Sequence, residues 1–175
     1  MFEKFSRRTV RAVHTAVRTA QQDDSPTIEE EHLLFGILSE AGPVSRRVLG
    51  SRITPEALRE AFARARRRGD LSETDMAALR RMGIDVRSAT AALEWRDEPR
   101  RARPRRRFGG GHRPFSPDSK RALSGAVAEA REMGARRIED VHVLLAVLRG
   151  GGLASGVLTD LGLDYQAVRR ALGGG

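Results

Sequence analysis

The sequence predicts an all-α protein made of two tandem four-helix repeats related by a pseudo-twofold axis. Three observations carry this reading. Apolar residues recur at helical spacing, no segment alternates with period two for long enough to make a strand, and the chain matches itself without gaps at an offset of 110 residues. Phe5–Phe62 falls on Phe115–Leu172, with 17 of 58 positions identical by direct count. Phe5-Ser6 meets Phe115-Ser116, Ile28-Glu29 meets Ile138-Glu139, and His32, Leu34, Leu38, Gly42 and Ser45 meet His142, Leu144, Leu148, Gly152 and Ser155. Biased composition accounts for coincidences among Ala and Arg. It does not account for Phe, His and Gly agreeing in one register.

Taken in order, Ser6 is the N-cap of a first helix with Val10, Val13 and Val17 at helical spacing. Thr27-Ile28-Glu29-Glu30 reads as a capping box that opens a second helix with a buried stripe of Ile28, Leu34, Ile37 and Leu38. Gly42 punctuates before a short third helix, Val44–Leu49. Thr54-Pro55-Glu56 starts a fourth, with proline where its missing N–H costs nothing. In the second copy Ser116-Pro117, Gly152 and Asp164 take the same places. Between the copies, Met76–Met82 and Ile84–Trp95 read as helices. The following Glu98–Gly111 stretch is rich in Pro, Gly and Arg and nearly free of apolar residues, the composition of a flexible linker. The expected organisation is a first repeat at 1–66, a helical insert at 67–98, a linker at 99–114 and a second repeat at 115–172, with both repeats in one globular unit.

Composition narrows the function. The net charge is +9 over 175 residues, and residues 96–113 alone carry eight Arg against two acids, so the basic excess belongs mostly to one segment. That run could touch phosphates nonspecifically, but only Phe108 lies nearby for base stacking, and nucleic acid is not the expected partner. The chain has no cysteine, which excludes disulfides and thiolate sites. The longest apolar runs, Leu33–Leu38 and Val141–Leu148, fall far short of a membrane span, and the charged start Met1–Phe5 lacks a signal-peptide core. The chain therefore reads as soluble and cytoplasmic, with no membrane partner.

Phe2, Phe5-Ser6, Ile28-x-x-Glu31-His32-Leu33-Leu34 and Pro114-Phe115-Ser116-Pro117, followed by Ile138-x-x-x-His142-x-Leu144-Leu145, together resemble the Clp amino-terminal repeat domain. This double four-helix module stands at the front of ClpA, ClpB and especially ClpC unfoldases, and Asp75–Val86 is similar to the enlarged middle segment of free-standing actinobacterial members. The resemblance implies recognition of peptides, unfolded or tagged proteins, adaptors of a Clp ATPase, or cyclic peptide antibiotics. It also implies a peptide-binding patch at Phe2, Val13, Phe115 and Lys120, and a phosphoarginine-type half-site at Ser6 and Glu31. In the second copy Val141 replaces that glutamate, and valine cannot hold a guanidinium in two-point geometry. Glu29 and Glu30 read as helix-terminus stabilisers that are also unfavourable to a nearby phosphate.

His32 and His142 share a repeat position but have no thiolate partners and no His-x-x-x-His spacing, so each reads as a buried, hydrogen-bonded brace and not as a metal ligand. No nucleophile elbow or phosphate loop occurs, and Lys4 and Lys120 are the only lysines, so neither a catalytic residue nor a cofactor is expected. The reading is a binding protein: adaptor, regulator or decoy. The competing reading is a nucleic-acid-associated protein acting through its arginine run. The purified protein is expected to hydrolyse neither ATP nor peptide bonds. Turnover that tracks the protein peak through gel filtration would overturn this.

Overall fold

A computed structural model describes residues 3–68, 73–83 and 113–173. The helices among them are α1 (Arg7–Gln22), α2 (Glu30–Glu40), α3 (Pro43–Leu49), α4 (Pro55–Arg67), α5 (Glu73–Arg81), α6 (Pro117–Glu132), α7 (Asp140–Gly150), α8 (Leu153–Asp160) and α9 (Tyr165–Gly173). The helices α6–α9 begin 110 residues after α1–α4, so the sequence register is also the structural one. Phe2, the segment Ile84–Trp95 and the arginine run at 100–107 lie outside the described residues.

The copies are joined by a reciprocal backbone exchange. The Ile28 N–H donates to Pro114 O at 2.9 Å, and Ser116 N–H donates to Ile28 O at 3.0 Å. Shifted by 110 residues, the same pair recurs with partners swapped: Ile138 N–H to Lys4 O at 2.9 Å and Ser6 N–H to Ile138 O at 2.9 Å. The entry to each repeat's first helix is thus bridged, parallel, to the entry of the other repeat's second helix. This is the pseudo-twofold axis expressed in hydrogen bonds. Arg113 and Pro114, read as the end of the linker, belong to the fold: Pro114 supplies its carbonyl here, and Arg113 donates to Ala20 O at 2.7 Å and to Ser25 O.

The exchange also corrects the expected start of α2. Its N-cap is Glu29 and not Thr27, because Ile28 is drawn into extended pairing and the helix cannot begin before it. Thr27 Oγ1 bonds the Glu29 carboxylate instead. The position three residues into each helix, often Glu or Gln in a capping box, holds histidine. His32 Nδ1 accepts from Glu29 N–H at 2.8 Å, and His142 Nδ1 accepts from Glu139 N–H at 2.8 Å. The other caps stand where the sequence puts them. Ser6 and Ser116 each accept a backbone N–H three residues on at 3.2 Å, and Thr54 and Asp164 do the same for α4 and α9.

Packing places α2 and α7 at the centre. Residues 32–37 and 141–148 are buried without a break, so these helices are covered all round and carry no narrow stripe. The buried face of α1 also differs from the valine stripe. It runs through Thr9, Ala12, Val13, Ala16 and Ala20, with Val10 and Val17 half-buried. The reason is proximity: a Cβ added at Gly36 of α2 would lie 2.0 Å from Ala12 O, so only small residues fit at this crossing. The repeats interlock again at their outer ends, where α4 and α5 pack on α8 and α9 packs on α3.

Gly36→Ala is expected to destabilise the fold by about 3 kcal/mol or more, because the clash is with a backbone oxygen that cannot rotate away. Gly125→Ala, whose new methyl meets Ala146 Cβ at 3.1 Å, should cost clearly less. Urea unfolding of both variants measures the difference, and equal stabilities would refute the account of this crossing.

Candidate peptide-binding clefts

Because each first helix starts beside the other repeat's second helix, the exchange opens two clefts at equivalent places. The first lies between the start of α1 (Ser6, Arg7, Arg8, Arg11), the start of α3 (Pro43, Val44) and the start of α7 (Glu139, Asp140, Val141), with a volume of about 540 Å³. The second lies between the start of α2 (Glu29, Glu30, Glu31), the first turn of α6 (Asp118) and the start of α8 (Leu153, Ala154), with a volume of about 310 Å³. In the second, Phe62 and Arg66 from the last turns of α4 form an extra wall. Among the described residues, none of α9 lines the first cleft.

Equivalent positions carry different chemistry. Arg8 corresponds to Asp118, Val44 to Ala154, Asp140 to Glu30 and Val141 to Glu31. The first cleft sets three arginines against two carboxylates; the second sets one arginine against four. In the first, Asp140 is 3% exposed and both its oxygens are held, by Gly42 N–H at 2.9 Å and by Val141 N–H at 3.2 Å. Its counterpart Glu30 is one methylene longer, and no hydrogen bond to its carboxylate is present among the described residues. Burial and then the nearby Asp118 carboxylate push the Glu30 carboxyl up to about 7. Glu31 is paired with Arg66, and Asp118 with Arg121.

The residues singled out from sequence distribute as follows. Ser6 and Glu31 do not share a site: Ser6 lines the first cleft and Glu31 the second. The family resemblance grouped them in one half-site; the backbone exchange crosses the copies and puts them in different clefts. Val13 is buried in the core at 7% exposure and offers little surface to a ligand. Phe115 is half-buried and Lys120 exposed, on either side of the Ser116 cap of α6. His32 and His142 are both buried, and burial holds their imidazoles below the usual histidine range. An Nδ1 that accepts a hydrogen bond leaves the proton on Nε2, and His32 Nε2 lies 3.7 Å from Asp23. Sequence reasoning missed Arg7, Arg8, Arg11, Arg66 and Asp118. The aligned Arg8–Asp118 mismatch was visible in the register, but its meaning required the crossed geometry.

The two titrating groups have opposite effects. Between its ordinary value of 4.5 and about 7, folded Glu30 keeps a proton that the unfolded chain releases, so its contribution falls as pH rises through that window. The histidines are held neutral, so theirs falls as pH drops below the ordinary value of 6.5. Glu30→Gln is therefore expected to raise stability at pH 8 relative to wild type and to leave it nearly unchanged at pH 4.5. Thermal unfolding across this range checks it, and parallel curves for the two proteins would refute the assignment.

Comparison with known proteins agrees with this architecture. The model of the Clp repeat N-terminal domain matches residues 4–77 and 114–174. The chain is 26% identical over 176 residues to the chloroplastic chaperone protein ClpC2 of Oryza sativa subsp. japonica and to the chloroplastic chaperone protein ClpC1 of Arabidopsis thaliana, with 97% of this chain covered. It spans only 15% and 14% of the lengths of those relatives. Among solved structures, the N-terminal domain of the chaperone ClpD from Arabidopsis thaliana superposes with a TM-score of 0.60 at 22% identity, covering 98% of this chain and 93% of that one. The N-terminal domain of Hsp104 from Candida albicans follows at a TM-score of 0.52 and 14% identity, covering 97% and 89%. These likenesses establish the fold. With the family model matching both copies, the chain belongs to the Clp repeat N-terminal domain family.

Proposed function

We propose that the chain is a non-enzymatic recognition module that binds peptide segments of proteins handled by Clp-type unfoldases, as an adaptor, regulator or decoy. The observation that carries this reading is the pair of open clefts built by the reciprocal exchange, each lined by both apolar and charged residues. Phe115 and Lys120 add an aromatic face and an ammonium beside the α6 cap, a combination suited to an apolar side chain and a backbone carbonyl. Peptide-like antibiotics present the same groups and are the small-molecule version of this ligand. Phosphoarginine fits less well. The second cleft adds Glu29, Glu30 and Asp118 where a phosphate would lie, and the first has Val141 where a guanidinium needs an acid.

Calorimetric titration tests the reading. An apolar cyclic peptide is expected to bind more tightly than free phosphoarginine, and Phe115→Ala to weaken the peptide by roughly tenfold, the equivalent of about 1.4 kcal/mol. Tight phosphoarginine binding at two sites, indifferent to Phe115, would overturn the ligand class. Failure to bind any unfolded protein, with labelled casein as probe, would overturn the module reading itself.

A further inference from the structure

The two clefts share a backbone plan but differ by four charges, and the first of them retains cations with no acid to answer them. Arg11 is answered by Glu40 at 2.8 Å. Arg7 and Arg8 meet no carboxylate within ion-pair distance among the described residues; Arg8 Nη1 donates only to the Ala41 carbonyl, at 3.2 Å. The acids on the opposite wall are already engaged: Asp140 with two backbone N–H groups, Glu139 at the cap of α7. The first turn of α1 carries no acid, unlike that of α6, so the positive end of a 16-residue helix adds to the arginines. Beside this cationic wall stands Val44, 37% exposed and one of two large hydrophobics exposed among the described residues. Val141, which stands where the other cleft has Glu31, removes an acid from this wall but is itself buried, at 5% exposure.

We propose that the first cleft binds an acidic peptide segment. A Glu or Asp side chain meets Arg7, Arg8 and the start of α1, and a neighbouring apolar side chain lies on Val44. The proposal deepens the recognition-module reading and rests on it. Charge and volume agree: guanidinium groups bind carboxylates in two-point geometry, and about 540 Å³ accommodates two or three side chains. The second cleft, with one arginine against four carboxylates, repels the same ligand. The symmetric fold therefore binds one acidic segment per chain, not two.

The test uses the whole 175-residue chain and three fluorescein-labelled peptides of equal length, alternating Leu with Glu, with Gln or with Lys. Anisotropy is expected to show the Glu peptide binding at one per chain, and the Gln peptide roughly tenfold or more weaker. The double substitution Arg7→Ala, Arg8→Ala and the single Val44→Asp should each weaken the Glu peptide by a similar factor, with unchanged circular dichroism. Serine in place of the arginines at 100–107 should leave its affinity unchanged. Equal binding of the Gln or Lys peptide, two Glu peptides per chain, indifference to Arg7 and Arg8, or loss on changing 100–107 would each overturn the assignment while leaving the module reading intact. Binding of none of the three peptides would overturn both.

Discussion

Everything in this molecule depends on the reciprocal backbone exchange at Ile28 and Ile138. Each isoleucine is nearly inaccessible, at 1% and 3% exposure, so its N–H and C=O must find partners inside the protein. Helix geometry cannot supply them, because both residues precede their helices. The partners come from the other repeat's entry segment, through four bonds of 2.9–3.0 Å. Leaving any of these buried groups unpaired would cost about 1–3 kcal/mol. The side chains carry the same junction inward: Thr9 Oγ1 donates to Ile138 O at 3.0 Å while meeting Ser6 Oγ at 2.9 Å. A unit of this size folding alone would be marginal, and the exchange joins two such units into one core.

The same junction explains why the two clefts lie where they do. It holds residue 28 extended, which delays α2 to Glu30 and sets Glu29, Glu30 and Glu31 at the mouth of one cleft. It brings Ser6 against residues 139–141 and so makes the other. Within this shared frame the copies have diverged wherever symmetry did not require identity. The second repeat buries Glu129 at 1% exposure, paired with Arg149 at 2.8 Å and accepting from Tyr165 at 3.1 Å; the first repeat has Thr19, Ser39 and Pro55 at those places. The turn after the first helix keeps its left-handed residue in both copies, Gly134 in one and Asp24 in the other. Backbone roles persist, while side-chain charge is free to change.

That freedom gives the clefts opposite electrostatic character. A duplicated protein with a twofold axis would be expected to bind the same ligand twice. Here Arg8 faces one cleft and Asp118 the other, and the helix-start acid is spent on N–H groups in one copy but left half-buried and proton-retaining in the other. The consequence is one fold whose two equivalent clefts carry different charge.

The sequence by itself determined a good deal. The 110-residue register, the helical period, and the Ser, Thr, Asp and Gly caps fixed the helices, their order and the twofold relation, because these are local or repeated signals. Local signals were also where it erred: Thr27 has the chemistry of an N-cap. The valines of α1 have the period of a buried face, but only Val13 is fully buried, and the alanines share that face. Tertiary structure decided both points. Ile28 is held extended by a residue 86 positions away, and the closeness of α1 to Gly36 rotates the alanines inward. The candidate site shows the same division. Each charged residue was visible, but which of them share a cleft was not. The family resemblance groups Ser6 with Glu31, and only the crossing of the two copies sends one to a cationic cleft and the other to an anionic one.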